Sequence, residues 1–312
     1  MQRLINLSRR NSRGAFLLGA LLALLGVSGL AAQELSPRAY WPAPKGTRAL
    51  ILGSAYARGD VVTDRALPVS GVDSRITTGI VGYFETFELA GRTANLVLEL
   101  PYSKGTTEGL LFGVPARRDF TGFGDLAVTI GVNLLGAPSM TVEQFREFRA
   151  NPRPLLATSV KVVFPSGKYE RGRLINVGSH RWATKLELGH VLPLRKRWLL
   201  ELEAGVWFFG ADDDFVLGRR EQDPVLAAEA HLVRRIRPGL WGSLELNYYT
   251  GGRTTIAGEQ RTDLQRNARV GGTLVLPFRR RHAIKLGYSS GILTETGSDF
   301  DQALVSYQVL LR

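Results

Sequence analysis

The chain has 312 residues, a formal net charge of +12 and no cysteine. Without Cys there is no disulfide scaffold, Cys-ligated zinc, iron–sulfur ligation, thiol catalysis or lipoprotein anchor, and four histidines leave little room for a multi-His metal site. A mean hydropathy of −0.03 excludes a polytopic helical membrane protein, and 44% hydrophobic residues argue against disorder.

Arg3, Arg9, Arg10 and Arg13 precede an apolar run from Ala15 to Val27, and Gly29-Leu30-Ala31 places small residues at positions −3 and −1. This is the secretory pattern, with cleavage expected after Ala31 or one residue later. The alternative is an uncleaved inner-membrane anchor, for which the run is short. Removing residues 1–31 takes away four arginines and no acids, so the mature chain is about +8.

The mature chain then shows period-2 segments of about ten residues, the spacing of half-buried strands. They lie near 47–57, 74–87, 93–103, 123–135, 155–165, 181–192, 198–210, 224–234, 240–250, 267–277, 282–292 and 301–311. In the seventh segment, for example, Leu200, Leu202, Ala204, Val206 and Phe208 alternate with Glu201, Glu203, Gly205 and Trp207. Strands of about 9–11 residues cross a bilayer when tilted. Connections near 88–92, 193–197, 235–239 and 278–281 are short; those near 58–73, 104–122, 166–180, 211–223, 251–266 and 293–300 are long and polar. The expected fold is therefore all-β: a transmembrane antiparallel up-and-down barrel of about twelve strands, with short periplasmic turns and long extracellular loops. Residues 1–31 form the signal peptide, 32–46 a periplasmic or plug segment, and 47–312 the barrel of a Gram-negative outer membrane. The competing fold is a soluble β-sandwich, whose strands are usually shorter and whose outer face is polar.

Residues 136–153 are long where a short turn is expected. Thr141 and Gln144 have capping-box spacing, and Phe145 and Phe148 share a helical face, so a short amphipathic helix at the periplasmic rim is predicted. It reads as a connector or as a membrane-surface or partner contact.

Three basic clusters fall at short turns: Arg195-Lys196-Arg197, Arg234-Arg235 with Arg237, and Arg279-Arg280-Arg281. They read as contacts with phospholipid phosphates, beside an interfacial girdle of Trp182, Trp198, Trp241 and Phe278. Arg117, Arg118, Arg171, Arg173, Arg219 and Arg220 lie on the long-loop side, where they face lipopolysaccharide or solvent. Nucleic acid is not an expected partner of an exported barrel. Asp212-Asp213-Asp214 reads as a plain acidic loop or as part of a divalent-cation site.

The alternation places Glu99, Asp125, Lys161, Lys185, Glu187, Glu201, Glu203, Glu229, Glu245, Arg269 and Lys285 toward the lumen, seven acids against four bases. Lys or Arg facing lipid at mid-bilayer costs about 2–4 kcal/mol, which favours the inward assignment. These groups form either a salt-bridged filling or a polar conduit. Trp207, Tyr249 and Tyr83 add an aromatic lining or fill space.

Several stretches together resemble the outer-membrane family labelled “putative meta-pathway of phenol degradation”, whose members are often called transporters. They are Arg38-Ala39-Tyr40-Trp41-Pro42-Ala43-Pro44-Lys45-Gly46, Asp73-Ser74-Arg75, Leu98-Glu99-Leu100-Pro101-Tyr102 and Phe120-Thr121-Gly122-Phe123-Gly124-Asp125. Val163-Phe164-Pro165-Ser166-Gly167-Lys168-Tyr169, Asn247-Tyr248-Tyr249-Thr250-Gly251-Gly252 and Gly297-Ser298-Asp299-Phe300 complete the set. The resemblance implies an outer-membrane barrel that takes up aromatic or other hydrophobic small molecules, with no catalytic residues and no cofactor. Barrels of this kind commonly end in an aromatic residue read by the insertion machinery; this chain ends in Leu311-Arg312.

No enzyme motif competes strongly. Gly122-Phe123-Gly124 precedes a strand rather than a helix, Pro165-Ser166-Gly167-Lys168 lacks phosphate-loop spacing, and there is no G-x-S-x-G elbow. Two other readings stay open: an anchoring barrel with a filled lumen, and a barrel hydrolase. The latter would pair His231, His190, His180 or His282 as base with Ser243 or Ser289 as nucleophile.

Overall fold

The computed structural model describes residues 36–61, 69–195, 197–295 and 298–311. The signal-peptide segment, residues 1–31, lies outside the described residues. After an N-terminal segment, residues 36–47, the chain forms β1 (Arg48–Asp60), β2 (Val69–Leu89), β3 (Arg92–Leu111), β4 (Val114–Phe123) and β5 (Ala127–Leu135). Helix α1 (Val142–Ala150) follows, then β6 (Leu155–Val163), β7 (Ala183–Arg195), β8 (Trp198–Phe209) and β9 (Arg220–Gln222). The remainder is β10 (Val225–Arg237), β11 (Leu240–Gly251), β12 (Thr254–Ile256), β13 (Glu259–Gln260), β14 (Gln265–Phe278), β15 (His282–Thr294) and β16 (Asp299–Leu310).

Sequential antiparallel pairing closes on itself when β1 pairs with β16, from Ala49 opposite Leu310 to Asp60 opposite Asp299. β4 and β5 are two halves of one wall strand: β4 pairs with the outer part of β3 and β5 with its inner part. β9, β12 and β13 form a separate small sheet in the loops. The result is a closed barrel of twelve antiparallel strands, and closure leaves no lipid-facing edge for most of the wall. The soluble sandwich is ruled out.

The period-2 pattern becomes an inside and an outside. On β10 every second residue from Val225 to Arg235 is buried, whereas Leu226 is 54% exposed. Leu188, Leu202, Leu244, Leu286 and Val305 continue the exposed apolar belt. Leaving so many leucines in water would be costly, so this belt is the lipid-facing wall of an outer-membrane barrel. Toward the long-loop end it is edged by exposed Tyr56, Tyr102, Phe123, Trp182, Tyr248 and Tyr288, the position expected of interfacial aromatics.

Residues 104–122, expected as a loop, are instead strand. β2 and β3 run 21 and 20 residues, far beyond a membrane span, and β3 turns into β4 through Phe112 and Gly113 alone. Both turn residues have positive φ, 50° and 81°, the geometry that two-residue hairpins require. Gly105 and Gly109 interrupt the apolar alternation there and mask the strand in the sequence.

Helix α1 has the expected capping box: the Thr141 side chain accepts from the Gln144 backbone, and the Gln144 side chain accepts from the Thr141 N–H. It connects β5 to β6, and it also packs inside the barrel. Phe145 and Phe148 are buried in the barrel's apolar cluster, so this face of α1 packs against the barrel interior. Thr141→Ala should cost about 1 kcal/mol of helix stability. The expected readout is faster amide exchange across residues 142–150 with the barrel's gel migration unchanged.

Candidate functional site

The interior is layered. At the end where the chain termini lie, residues 36–46 enter the barrel and pack on α1. Tyr40, Trp41, Ala43, Met140, Phe145 and Phe148 form one buried cluster with wall residues such as Ile51, Phe84 and Trp241. Trp41 and Phe148 have ring centroids 5.5 Å apart. The Arg38 guanidinium lies between the Trp41 and Trp241 rings, 5.0 and 5.1 Å from their centroids, a stack worth most where water is excluded. Burial first pulls Arg38 down to about 9, Glu201 opposes this, and neighbouring Arg149 and Arg235 add to it.

Hydrogen bonds fix the segment at both ends. The Arg38 N–H donates to Glu201 Oε2 at 2.5 Å, and the Tyr40 hydroxyl donates to Glu187 Oε1 and pairs with Ser159 Oγ, each at 2.8 Å. The Lys45 N–H donates to the Met140 carbonyl and the Gly46 N–H to the Thr86 carbonyl. Gly189 makes the seat: a Cβ there would collide with the Tyr40 ring, so only glycine lets the ring lie against β7.

A charged belt lies beyond this plug. Ten of the eleven residues assigned to the lumen by alternation converge there or just past it, all buried. Lys161 pairs with Glu99 at 2.9 Å, reaching over β5 from β6 to β3. Lys185 pairs with Glu187 and with Glu229, the latter at 3.2 Å. Glu245 accepts from the Ser243 hydroxyl at 2.6 Å. Glu201, Glu203 and Lys285 complete the belt, each no more than 5% exposed. Arg269 donates to the Phe300 carbonyl and to Ser289 Oγ, with its guanidinium over the Phe300 ring. A cavity between plug and belt is lined by Ser36, Tyr40, Glu99, Lys161, Glu203 and Glu229, among others.

Asp125 is the eleventh and does something else. Its Oδ1 accepts from the Gly167 N–H, and its Oδ2 accepts from the Ser179 N–H and hydroxyl, at 2.6 to 2.8 Å. It staples the 164–182 loop to the wall instead of lining a conduit. The G-x-G-D and F-P-S-G-K-Y stretches thus meet in space: the Lys168 N–H donates to the Phe123 carbonyl, and a Cβ on Gly122 would strike the Lys168 stem.

Trp207 and Tyr249 are fully buried on the loop side of the belt, clustered with Val163, Val225 and Ala227. Tyr83 does not join them. It lies on the outward phase and donates to Glu85 at 2.7 Å, while its neighbour Phe84 turns inward.

The basic turns divide by parity. Arg195, Arg197, Arg234, Arg279, Arg280 and Arg281 are exposed at the plug end, with Arg234 over the Trp198 ring. Lys196 lies outside the described residues. Arg235 contradicts its assignment to lipid headgroups. Adjacent residues of a strand face opposite sides, so Arg235 turns into the barrel, stacks on Trp41 and donates to the Arg149 carbonyl at 2.8 Å. Trp241 leaves the expected girdle for the same reason and is 1% exposed inside the plug.

The loop acids serve loop structure. Asp212 pairs with His180 Nδ1 at 2.9 Å, Asp213 with Arg219 at 2.6 Å, and Asp214 with Arg171. Stacked on His180, the Tyr169 hydroxyl is pushed up to about 12 by burial and then by Asp212. Of the residues named for a hydrolase, Ser243 donates to Glu245, Ser289 accepts from Arg269, His190 bonds the Leu155 carbonyl and His282 the Tyr307 hydroxyl.

A family profile described as “Putative MetA-pathway of phenol degradation” matches residues 57–308. The COG4313 outer membrane channel from Pseudomonas putida F1 superposes with a TM-score of 0.74 at 20% identity, covering 89% of this chain and 100% of that one. The CymD monoaromatic hydrocarbon channel superposes with a TM-score of 0.44 at 8% identity, over 96% of this chain and 97% of that one. No curated protein matches the sequence.

Proposed function

The chain belongs to the family described as “Putative MetA-pathway of phenol degradation”, and from that premise we propose that it is an outer-membrane channel for small hydrophobic or aromatic solutes, held shut by its own N-terminal segment. One observation carries this reading. The barrel end is stopped by residues 36–46, which belong to no wall strand and are held by a few side-chain and backbone bonds. A barrel that served only as an anchor would need no separable stopper. Once the stopper leaves, Trp207 and Tyr249, buried in the closed barrel, would lie along the path of a passing ring beside the charged belt.

The exposed arginines at the turns, Arg195, Arg197, Arg234 and Arg279 to Arg281, would then meet phospholipid phosphates of the periplasmic leaflet. The long loops would meet lipopolysaccharide, and the last strand β16 the insertion machinery. The dense ion pairing of the belt favours a second reading, a filled anchoring barrel without transport.

Uptake separates the two. Cells producing the barrel should accumulate radiolabelled phenol or toluene at low external concentration faster than cells lacking it, and a hydrophilic sugar no faster. Equal accumulation of the aromatic solutes would remove the proposed solute class.

A further inference from the structure

Glu203 of β8 and Glu229 of β10 stand directly opposite each other, and His231 follows two residues on, on the same inward face. All three are buried, and one donor atom from each lies within 4.8 Å of the others. His231 Nε2 is 3.6 Å from Glu229 Oε2. A tetrahedral Zn2+ with bonds of about 2.0–2.2 Å holds its ligand atoms about 3.4 Å apart. The His231–Glu229 pair already has that separation, and Glu203 holds the third donor within 4.8 Å.

A second observation points to a ligand. His231 is 0% exposed, yet neither ring nitrogen has a hydrogen-bond partner. Buried polar groups are ordinarily paired. An imidazole left this way, beside two carboxylates, has a nitrogen ready for a metal ion.

Charge and access agree. Glu201 and Glu245 flank His231 across the two neighbouring strands. Lys185 is held by Glu187 and Glu229, and Lys285 also faces His231. Five carboxylates against two ammonium groups leave room for a divalent cation in a low-dielectric interior. Glu203 and Glu229 line the cavity behind the plug, which leaves space beside the two carboxylates. We propose that Glu203, Glu229 and His231 form a divalent-metal site inside the barrel, with Zn2+ or a similar borderline ion as its ligand. A nitrogen donor with two carboxylates selects such ions over Ca2+ and Mg2+. The site is independent of whether the barrel conducts.

The folded mature barrel in detergent, stripped with chelator, should bind one Zn2+ per chain in calorimetry and elemental analysis, and Ca2+ far more weakly. Co2+ should report a nitrogen–oxygen site in its visible spectrum. Glu203→Gln keeps the side-chain volume and should weaken Zn2+ binding about tenfold or more; His231→Ala should abolish the Co2+ band. His180→Ala tests the alternative cluster of His180, Asp212 and Asp214 in the loops and should change nothing. Heat-modifiable gel migration confirms that each variant is folded. Unchanged Zn2+ affinity in folded Glu203→Gln and His231→Ala, loss of binding in His180→Ala instead, or absence of binding to the parent would each overturn the proposal.

Discussion

Deleting residues 36–46 is expected to raise the single-channel conductance of the barrel several-fold. These residues put Arg38, Tyr40 and Trp41 into the lumen, where Tyr40 and Trp41 pack in one cluster with Phe145 and Phe148 of α1. None of them belongs to a wall strand, so the strand pairing, including closure by β1 and β16, survives their loss. The deletion removes the Tyr40 bonds to Ser159 and Glu187 and the Arg38 bond to Glu201, opening those acids to water. Current through the opened pore should favour cations, because the wall groups left behind are mostly carboxylates. Gly189→Val reaches the same end without shortening the chain, since any Cβ there collides with the Tyr40 ring and must displace it. Planar-bilayer recording of parent, deletion and Gly189→Val checks the idea. If both variants conduct no better than the parent while migrating as folded barrels, the N-terminal segment is not the gate.

The second large effect is on stability. Lys161→Met should destabilise the barrel by about 3–5 kcal/mol, because it takes the Lys161 ammonium away from the buried Glu99 carboxylate. The pair spans β3 to β6 at 2.9 Å, with side chains 2% and 7% exposed. Its net worth is smaller than that loss, because both ions were desolvated to make it. The double variant Glu99→Gln, Lys161→Met removes the stranded charge and should recover most of the loss. Urea midpoints of the folded-to-unfolded gel transition, measured in lipid vesicles, read this directly. A single variant within about 0.5 kcal/mol of the parent would mean that Glu99 has found another cation or water.

Much of the wall was readable locally because a strand has only two faces. Once Leu200, Leu202 and Leu244 are assigned to lipid, Glu201, Glu203 and Glu245 must face inward. The same parity, applied strictly, separates Arg234 from Arg235 and places Trp241 inside. Grouping residues by charge or by aromatic type, without parity, obscured that. The β3–β4 hairpin was hidden for a different reason. Outside the bilayer nothing demands an apolar face, so Thr106, Glu108 and Gly109 pair as strand without carrying a strand's pattern. Glu203 and Glu229 of the proposed metal site were both placed inward by the alternation, but nothing in the sequence joined them to each other or to His231. Glu203 and Glu229 are neighbours only because of the register between β8 and β10.

The sequence alone determined the class of molecule: period-2 apolar runs of membrane-spanning length, in number enough to close, with polar residues that can only face a lumen. It also determined helix α1, whose capping box is a local device within four residues. The tertiary structure alone decided what fills the lumen. Tyr40 meets Ser159 and Glu187 more than a hundred residues away, and Asp125 meets Gly167 and Ser179 instead of the conduit. Such contacts depend on strand register and on the path of a segment with no periodicity of its own. Local residue patterns fix which face a side chain takes, whereas its partner across the barrel is fixed only when the ring closes.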